Sequence, residues 1–373
     1  MQNRLRQLRS RLGLSQQDLA RAAGITRQTV GGIETGLYAP SAHVALRMAQ
    51  ALSCRVEDIF WLEELKTTLQ AVCRNDAVFK AGQPLLLAAV GQRWVAHPLE
   101  GEAAFRSEMI PADAIALKDG SEIEVELLDT PERLAGTLVL AGCSPAFSLL
   151  SRLSERWSAE LRVHWLFANS TRALAHLANG EVHAAGVHLI DPASGECNQG
   201  FVRRALPGLD SVLVTLGWWQ EGLLVAPGNP RNLKKGADLA QPGVCIVNRE
   251  AGAGCRHLLE GVLQQEGVPF QAVQGFSKQL GDHQAVARAV AAGRSDGAVS
   301  TEAIAKIYSL DFVPWRRVRF DLAIPRAYLT SPPMQRLIDA LQNSQVRRQL
   351  QQLAGYDTRQ TGEIVTEGAG SEP

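Results

Sequence analysis

The 373-residue chain is predicted to be an all-α five-helix unit, then a small β segment, then an α/β region of two lobes. Three observations predict this. Up to about residue 65, apolar residues recur at helical spacing and are cut into short pieces by cap and stop residues. Between Pro84 and Leu128, short strand-like runs alternate with turn signals. From Thr137 onward, strand-sized apolar runs alternate with amphipathic helical stretches, which is the grammar of an α/β fold with parallel sheets.

The composition is 46% hydrophobic and 20% charged, which suits a globular chain and excludes a wholly disordered or fibrous one. No apolar run approaches the roughly 20 residues of a membrane span, and the first residues lack the apolar stretch of a signal peptide. A cytoplasmic protein is expected, with no membrane partner. The six cysteines form no Cys-x-x-Cys pair and are read as reduced thiols. The net charge is zero, but the first 55 residues carry eight arginines against Asp18 and Glu34, a formal +6. An arginine-only basic segment on a slightly acidic body points to a polyanionic partner.

The elements of residues 1–65 follow in order. Leu5, Leu8 and Leu12 form one helical stripe, and Gly13 ends it. Ser15 caps a helix over Gln16–Ala23, which Gly24 breaks. Thr26 caps a third helix, Arg27–Glu34, stopped at Thr35-Gly36. Pro40-Ser41 opens a fourth along Val44, Leu46, Met48, Ala49 and Leu52, and residues 56–60 give a short fifth. Ala20, Ile25, Val30, Ile33 and Leu46 are expected core residues. Two short helices joined by Ala-Gly-Ile inside such a unit make a helix-turn-helix.

Residues 66–135 are read as a linker helix and a small β segment, with strands near Leu85–Val90, Gln92–Ala96 and Glu122–Leu128. Within residues 136–360, strands are expected at Thr137–Ala141, Val163–Phe167, Val182–Leu189, Val212–Thr215, Gly222–Ala226, Val244–Val247, Gly297–Val299, Phe312–Pro314 and Leu322–Ile324. Helices alternate with them, and one terminal helix is read over Pro333–Leu353. That length suits two lobes, with the chain crossing near residues 217–230 and returning near its end. Residues 361–373 read as a disordered tail.

Four strand-to-helix turns share one chemistry: Gly142-Cys143-Ser144-Pro145, Asn169-Ser170-Thr171, Gly252-Ala253-Gly254-Cys255-Arg256 and Gly281-Asp282-His283. Each sets small or hydroxyl residues at a helix N-terminus, where open α/β sheets bind ligands and free N–H groups favour anions. The candidate effector-binding residues are Cys143, Ser144, Asn169, Ser170, Thr171, Asn248, Arg249, Gly252, Gly254, Cys255, Arg256 and His283. Cys143 and Cys255, each between a strand and a helix, are alternatively thiols for redox sensing or nucleophilic chemistry. His164, His176, His183 and His188 cluster in sequence without metal-ligand spacing, so no metal is expected. Trp218-Trp219 reads as a hinge or core pair.

The stretch Leu14-Ser-Gln-Gln-Asp-Leu-Ala-Arg-Ala-Ala-Gly-Ile-Thr-Arg-Gln-Thr-Val-Gly-Gly-Ile-Glu-Thr-Gly resembles the XRE/Cro-type helix-turn-helix regulators. That resemblance implies that Thr26, Arg27, Gln28 and Thr29 face DNA at the recognition helix. Arg27 and Gln28 would lie nearest the base edges, with Gln16, Gln17 and Thr29 on phosphates. Gly31 and Gly32 depart from a strong recognition helix. The region from Leu138 to Asp357 resembles the type II periplasmic-binding-protein-like domains related to molybdate-binding proteins. The marks are Gly186-Val-His-Leu-Ile-Asp-Pro-Ala-Ser-Gly, Ala226-Pro-Gly-Asn-Pro and Val247-Asn-Arg-Glu-Ala-Gly-Ala-Gly-Cys-Arg. Relatives often carry Gly-Ser-Gly-Thr-Arg where this chain has Gly252-Ala-Gly-Cys-Arg256. Together the resemblances imply a one-component regulator and not an enzyme: a homodimer on double-stranded operator DNA, controlled by a small-molecule or oxyanion effector, with no cofactor. A constitutive DNA-binding protein with an oligomerisation domain is the alternative.

Overall fold

The structure is a computed structural model. It describes residues 1–62, 67–74, 77–101, 110–144, 146–157, 161–191, 194–353 and 355–365. Pro145 and residues 366–373 of the expected tail lie outside these. The chain divides into two compact units, residues 1–67 and 68–373.

In the first unit, a two-residue pair of strands, β1 (Gln2–Asn3) and β2 (Phe60–Trp61), ties the ends together. Between them lie helices α1 (Leu5–Arg11), α2 (Gln16–Ala23), α3 (Arg27–Glu34) and α4 (Ala42–Ala51), and a 3-10 turn at Val56–Asp58. The boundaries follow the caps. Ser15 accepts from Asp18 N–H, and Asp18 returns a bond to Ser15 N–H, a capping box. Gly24 takes φ 67°, the left-handed stop that glycine reaches without strain. Thr26 accepts from Thr29 N–H to open α3. Leu5, Leu19, Ala20, Val30, Ile33 and Met48 fill the core, with Ile25 packed at its edge. Leu46 corrects the sequence reading: it is 62% exposed, because Ala45, Met48 and Ala49 turn the buried stripe of α4 elsewhere.

The second unit opens with a closed five-stranded barrel in the order β3-β5-β4-β6-β7. Its strands are β3 (Thr68–Cys73), β4 (Pro84–Val90), β5 (Arg93–Pro98), β6 (Ala114–Ala116) and β7 (Glu122–Leu127). The linker helix expected from residue 66 is therefore absent among the described residues. Thr68–Cys73 instead pairs with both β7 and β5, which closes the barrel and leaves it no free edge.

The rest forms one mixed six-stranded sheet in the order β14-β11-β15-β10-β8-β9. After α5 (Pro131–Ala135) come β8 (Thr137–Gly142), α6 (Ala146–Trp157), β9 (Arg162–Phe167), α7 (Ser170–Ala178), β10 (Ala184–Val187) and α8 (Gln199–Ala205). Next are β11 (Ser211–Val225), the short β12 (Asn248–Arg249), α9 (Gly254–Gln265), the short β13 (Gln279–Leu280), α10 (His283–Ala291), β14 (Gly297–Thr301) and α11 (Glu302–Ile307). The chain then follows β15 (Asp311–Pro325), α12 (Pro332–Gln342) and α13 (Ser344–Gln351).

Four expected strands merge into two. Val212–Thr215 and all of Gly222–Ala226 but its last residue are parts of β11, and Phe312–Pro314 and Leu322–Ile324 are parts of β15. The two 15-residue strands pair antiparallel over their whole length, with bulges at Thr215/Gly217 and Glu221/Gly222. The sheet is therefore mixed and not parallel: only the β10–β8 and β8–β9 pairs are parallel. The long strands pass through both lobes. The first lobe holds β8, β9 and β10 with cores on both sheet faces, and the second packs α9, α10 and α11 on β14 and the far halves of the long strands.

Two further differences concern the C-terminal stretch. The single expected helix divides at Asn343, whose extended backbone lets its side chain cap α13. Residues 361–365, expected to be disordered, cover the open edge of β11. Gly362 N–H donates to the Thr215 carbonyl (2.8 Å), Thr215 N–H to the Glu363 carbonyl (2.9 Å) and Val365 N–H to the Leu213 carbonyl (2.8 Å).

Candidate functional site: a thiol–imidazole cluster between the lobes and the exposed start of α3

Parallel pairing of β8 and β10 brings their carboxyl ends together, and so places Cys143 beside His188, 45 residues further along the chain. Cys143 Sγ lies 3.1 Å from His188 Nε2, and both residues are buried. On the other side of the ring, His188 Nδ1 lies 2.5 Å from Glu221 Oε1. Glu221 sits at the second bulge of β11 and also accepts from Trp219 Nε1–H (2.9 Å). The second lobe supplies His283, the first residue of α10, whose Nδ1 lies 2.8 Å from Ser300 Oγ. One ring nitrogen of each histidine and the Cys143 sulfur all lie within 4.8 Å of one another.

The electrostatics follow from burial and these neighbours. Burial alone would keep the His188 ring neutral. The facing Cys143 sulfur and Glu221 carboxylate outweigh it and push the ring up to about 10. His283 goes the other way: burial, with Arg249 and His188 nearby, holds it well below the usual histidine range. Burial pushes the Cys255 thiol well up. Arg249 is buried, and its Nε and Nη2 donate to Glu250 at 2.8 and 2.9 Å. Arg249 Nη1, His283 Nε2 and Thr301 Oγ1 are buried with no hydrogen-bond partner among the described residues. Thr301 is the cross-strand neighbour of Glu221.

Other expected residues join the lobes to each other. Asn169 Nδ2–H donates to Glu250 Oε1 and to the Ala251 carbonyl, both at 3.2 Å. Thr171 N–H and Oγ1–H both donate to the Gly252 carbonyl. Gly252 takes φ +85°, and a Cβ on it would press on Thr171. Gly254 packs on His188. Two of the expected hydroxyls also accept hydrogen bonds from the protein. Ser144 Oγ is paired with Tyr356 Oη (3.0 Å) and accepts from Ala146 N–H, and Ser170 Oγ accepts from His188 N–H (3.2 Å). Asn248 bonds backbone, donating to the Phe276 carbonyl and accepting from Arg249 N–H. Arg256 is committed to Glu260 (2.7 Å), the Arg249 carbonyl and the face of Phe276.

The cluster thus unites Cys143 and His283 with His188, Glu221, Trp219 and Ser300, which sequence reasoning did not select. His188 was judged by its spacing to neighbouring histidines, whereas its partners are distant in sequence. The absence of metal-ligand spacing is likewise overtaken, since a Cys-His-His donor group arises from three separate segments. Chemically, the Cys143–His188–Glu221 line has the order of thiol, ring and orienting carboxylate, and the same atoms are metal donors.

On the first unit, Thr26, Arg27, Gln28 and Gln17 are exposed and Thr29 is half-buried. Gln16 is held within the fold: its Nε2–H donates to Glu34 Oε2 (2.9 Å), and Glu34 also pairs with Arg9 (2.6 Å). Gly32 has a physical reason, since the Tyr38 ring fills the space a side chain would need and its hydroxyl donates to the Gln28 carbonyl.

Residues 5–59 match the helix-turn-helix family, and residues 151–342 match the PBP superfamily domain. The chain is 27% identical over 230 residues to the uncharacterized protein YvgK of Bacillus subtilis, covering 62% of this chain and 74% of that one. It is 50% identical over 64 residues to the uncharacterized HTH-type transcriptional regulator YgzD of the same organism, covering 17% and 97%. A phosphate ABC transporter substrate-binding protein with bound phosphate from Clostridium perfringens is 12% identical, with a TM-score of 0.47, covering 59% of this chain and 99% of that one. Among the described residues no helix is long and apolar enough to cross a membrane. The chain therefore belongs to the PBP superfamily domain family, carrying that domain behind an XRE-type helix-turn-helix of the transcriptional-regulator kind.

Proposed function

We propose that the chain is a one-component transcription regulator in which a small effector, enclosed between the two lobes, changes the affinity of the helix-turn-helix for its operator. One observation carries this reading. Arg249 Nη1 and His283 Nε2 are buried between the lobes with no hydrogen-bond partner among the described residues. An unsatisfied buried donor costs about 1–3 kcal/mol, and more if charged, so a bound species that satisfies it is strongly favoured. The Asn169–Glu250 and Thr171–Gly252 bonds hold the lobes together around it. A ligand that bridges the lobes favours the closed form, and it alters DNA binding only if open and closed forms differ in operator affinity.

The arrangement fits an ion-sized effector. An oxyanion of the molybdate kind would draw on Arg249 and His283, whose Nη1 and Nε2 have no hydrogen-bond partner among the described residues. The helix-turn-helix acts as a homodimer on two half-sites about one DNA turn apart. The chain is a sensor and not a catalyst in this reading.

The test is a thermal-shift screen of the full-length protein against oxyanions, metal ions and small metabolites, followed by operator-binding titrations with each hit. A ligand at 100 times its Kd adds about 2.7 kcal/mol of stability. A hit that shifts operator affinity supports the reading. A broad panel that moves neither stability nor operator affinity overturns it in favour of constitutive binding.

A further inference from the structure

We propose that Cys143, His188 and His283 form a binding site for a divalent metal ion of the zinc class, and that this ion is the species that holds the lobes closed. The second half rests on the regulator reading above; the first does not.

The donors are already gathered, within 4.8 Å of one another. A tetrahedral ion with bonds of about 2.0–2.3 Å sets its donors about 3.3–3.7 Å apart, about 1 Å inside that limit. Both rings are also set as metal-binding histidines are. His188 Nδ1 faces Glu221 Oε1 at 2.5 Å and His283 Nδ1 faces Ser300 Oγ at 2.8 Å, which leaves each Nε2 for the ion. On His188 that Nε2 already faces the Cys143 sulfur at 3.1 Å. On His283 it is buried and has no hydrogen-bond partner among the described residues.

Charge selects the ion. Arg249 is neutralised by Glu250. A metal takes Cys143 as its thiolate, and Glu221 lies behind His188, so the donor set suits a 2+ ion. One thiolate with two imidazoles suits zinc and its neighbours, whereas magnesium and calcium take oxygen donors. Binding needs the Cys143 thiolate and an unprotonated His188 Nε2, so any proton on them is released to solvent. Cys143 and His188 belong to the first lobe and His283 to the second, so the complete donor set exists only when the lobes are together.

The experiment titrates the full-length protein with Co2+ and then displaces it with Zn2+. One equivalent of Co2+ should give a thiolate-to-cobalt charge-transfer band, which Zn2+ removes. Cys143→Ser should abolish the band and His283→Gln should weaken binding at least about 100-fold, while Cys245→Ser, outside the cluster, should leave both intact. Glu221→Gln should keep the band and lower affinity about 10–100-fold. The melting temperature of each metal-free variant shows whether it folds, and the Glu221→Gln and Cys245→Ser proteins keep the test decisive if a ligand variant does not. Absence of the band in the parent, or its survival in folded Cys143→Ser, overturns the site. If an oxyanion shifts operator affinity in a protein that binds no Co2+ or Zn2+, the metal site falls and the regulator reading stands. If the metal binds and operator affinity does not change, the ion is not the effector.

Discussion

Gly254 of one lobe lies directly against His188 of the other: a methyl group on Gly254 would stand 2.5 Å from His188 Nδ1 and closer still to its carbonyl oxygen. Neither atom can retreat easily, since Nδ1 is held by Glu221 and the backbone N–H by Ser170. Gly254→Ala should therefore force the lobes apart or tilt the ring. The expected cost is about 1–3 kcal/mol of stability, measured by denaturant unfolding, together with weaker binding of any cleft ligand. Unchanged stability would show that the lobes do not meet here in solution.

Arg27 is exposed at the start of α3, where a helix entering the major groove makes its base contacts. Arg27→Ala should weaken operator binding by roughly 1–3 kcal/mol if the guanidinium makes a bidentate contact to guanine. Binding to unrelated DNA should change much less. Fluorescence anisotropy with operator and scrambled duplexes separates the two, and equal losses on both would make Arg27 a phosphate contact.

Arg9 and Glu34 form an ion pair at 2.6 Å with side chains only 12% and 3% exposed, and Gln16 adds a third partner. Burial would raise the Glu34 carboxyl, but Arg9 and Gln16 overcome that and lower it. Arg9→Ala leaves a buried carboxylate without its cation and should cost about 3 kcal/mol. The double variant Arg9→Ala/Glu34→Gln should recover part of the loss. Additive losses would show that the pair is not coupled.

His183 pins the barrel to the first lobe. Its Nδ1 accepts from Val139 N–H (3.0 Å), so its Nε2–H is the donor to the Ala89 carbonyl (2.9 Å). Burial pushes this histidine down to about 4. The unfolded chain takes up a proton near pH 6.5 that the native chain refuses until about pH 4, so stability falls as pH drops through that window. The loss is roughly 3 kcal/mol. In His183→Asn that component should vanish from the difference between unfolding free energies at pH 7 and pH 4.5. An unchanged difference would assign the pH dependence to other groups.

The helix-turn-helix was legible because its information is local. Ser15, Gly24 and Thr26 act on the residues beside them, and the structure uses each as its chemistry suggests. Leu46 failed because its neighbours turn the helix, and the barrel was missed because closure depends on partners far apart in sequence. The long strands were read in pieces because only their apolar runs stood out, whereas bulges absorb irregularities of the pairing and keep it continuous. At the site, turn residues were found by their position after strands. The chemistry was not, because Cys143, His188 and Glu221 meet only after β8, β10 and β11 are laid in one sheet.

The barrel is fastened to the first lobe by more than His183. Asp113 pairs with Arg162 (2.7 Å), Arg93 donates to the Asn179 carbonyl, and Leu86, Ala88, Val90 and Val95 share a core with Val139, Ala141 and Leu166. The second lobe reaches the rest through β11, β15 and the bonds of Asn169 and Thr171 across the cleft. β11 runs unbroken from the first lobe into the second, and its bulged middle is where the two join. Glu221 lies at that bulge and also holds His188, so one side chain belongs both to the seam between the lobes and to the cluster.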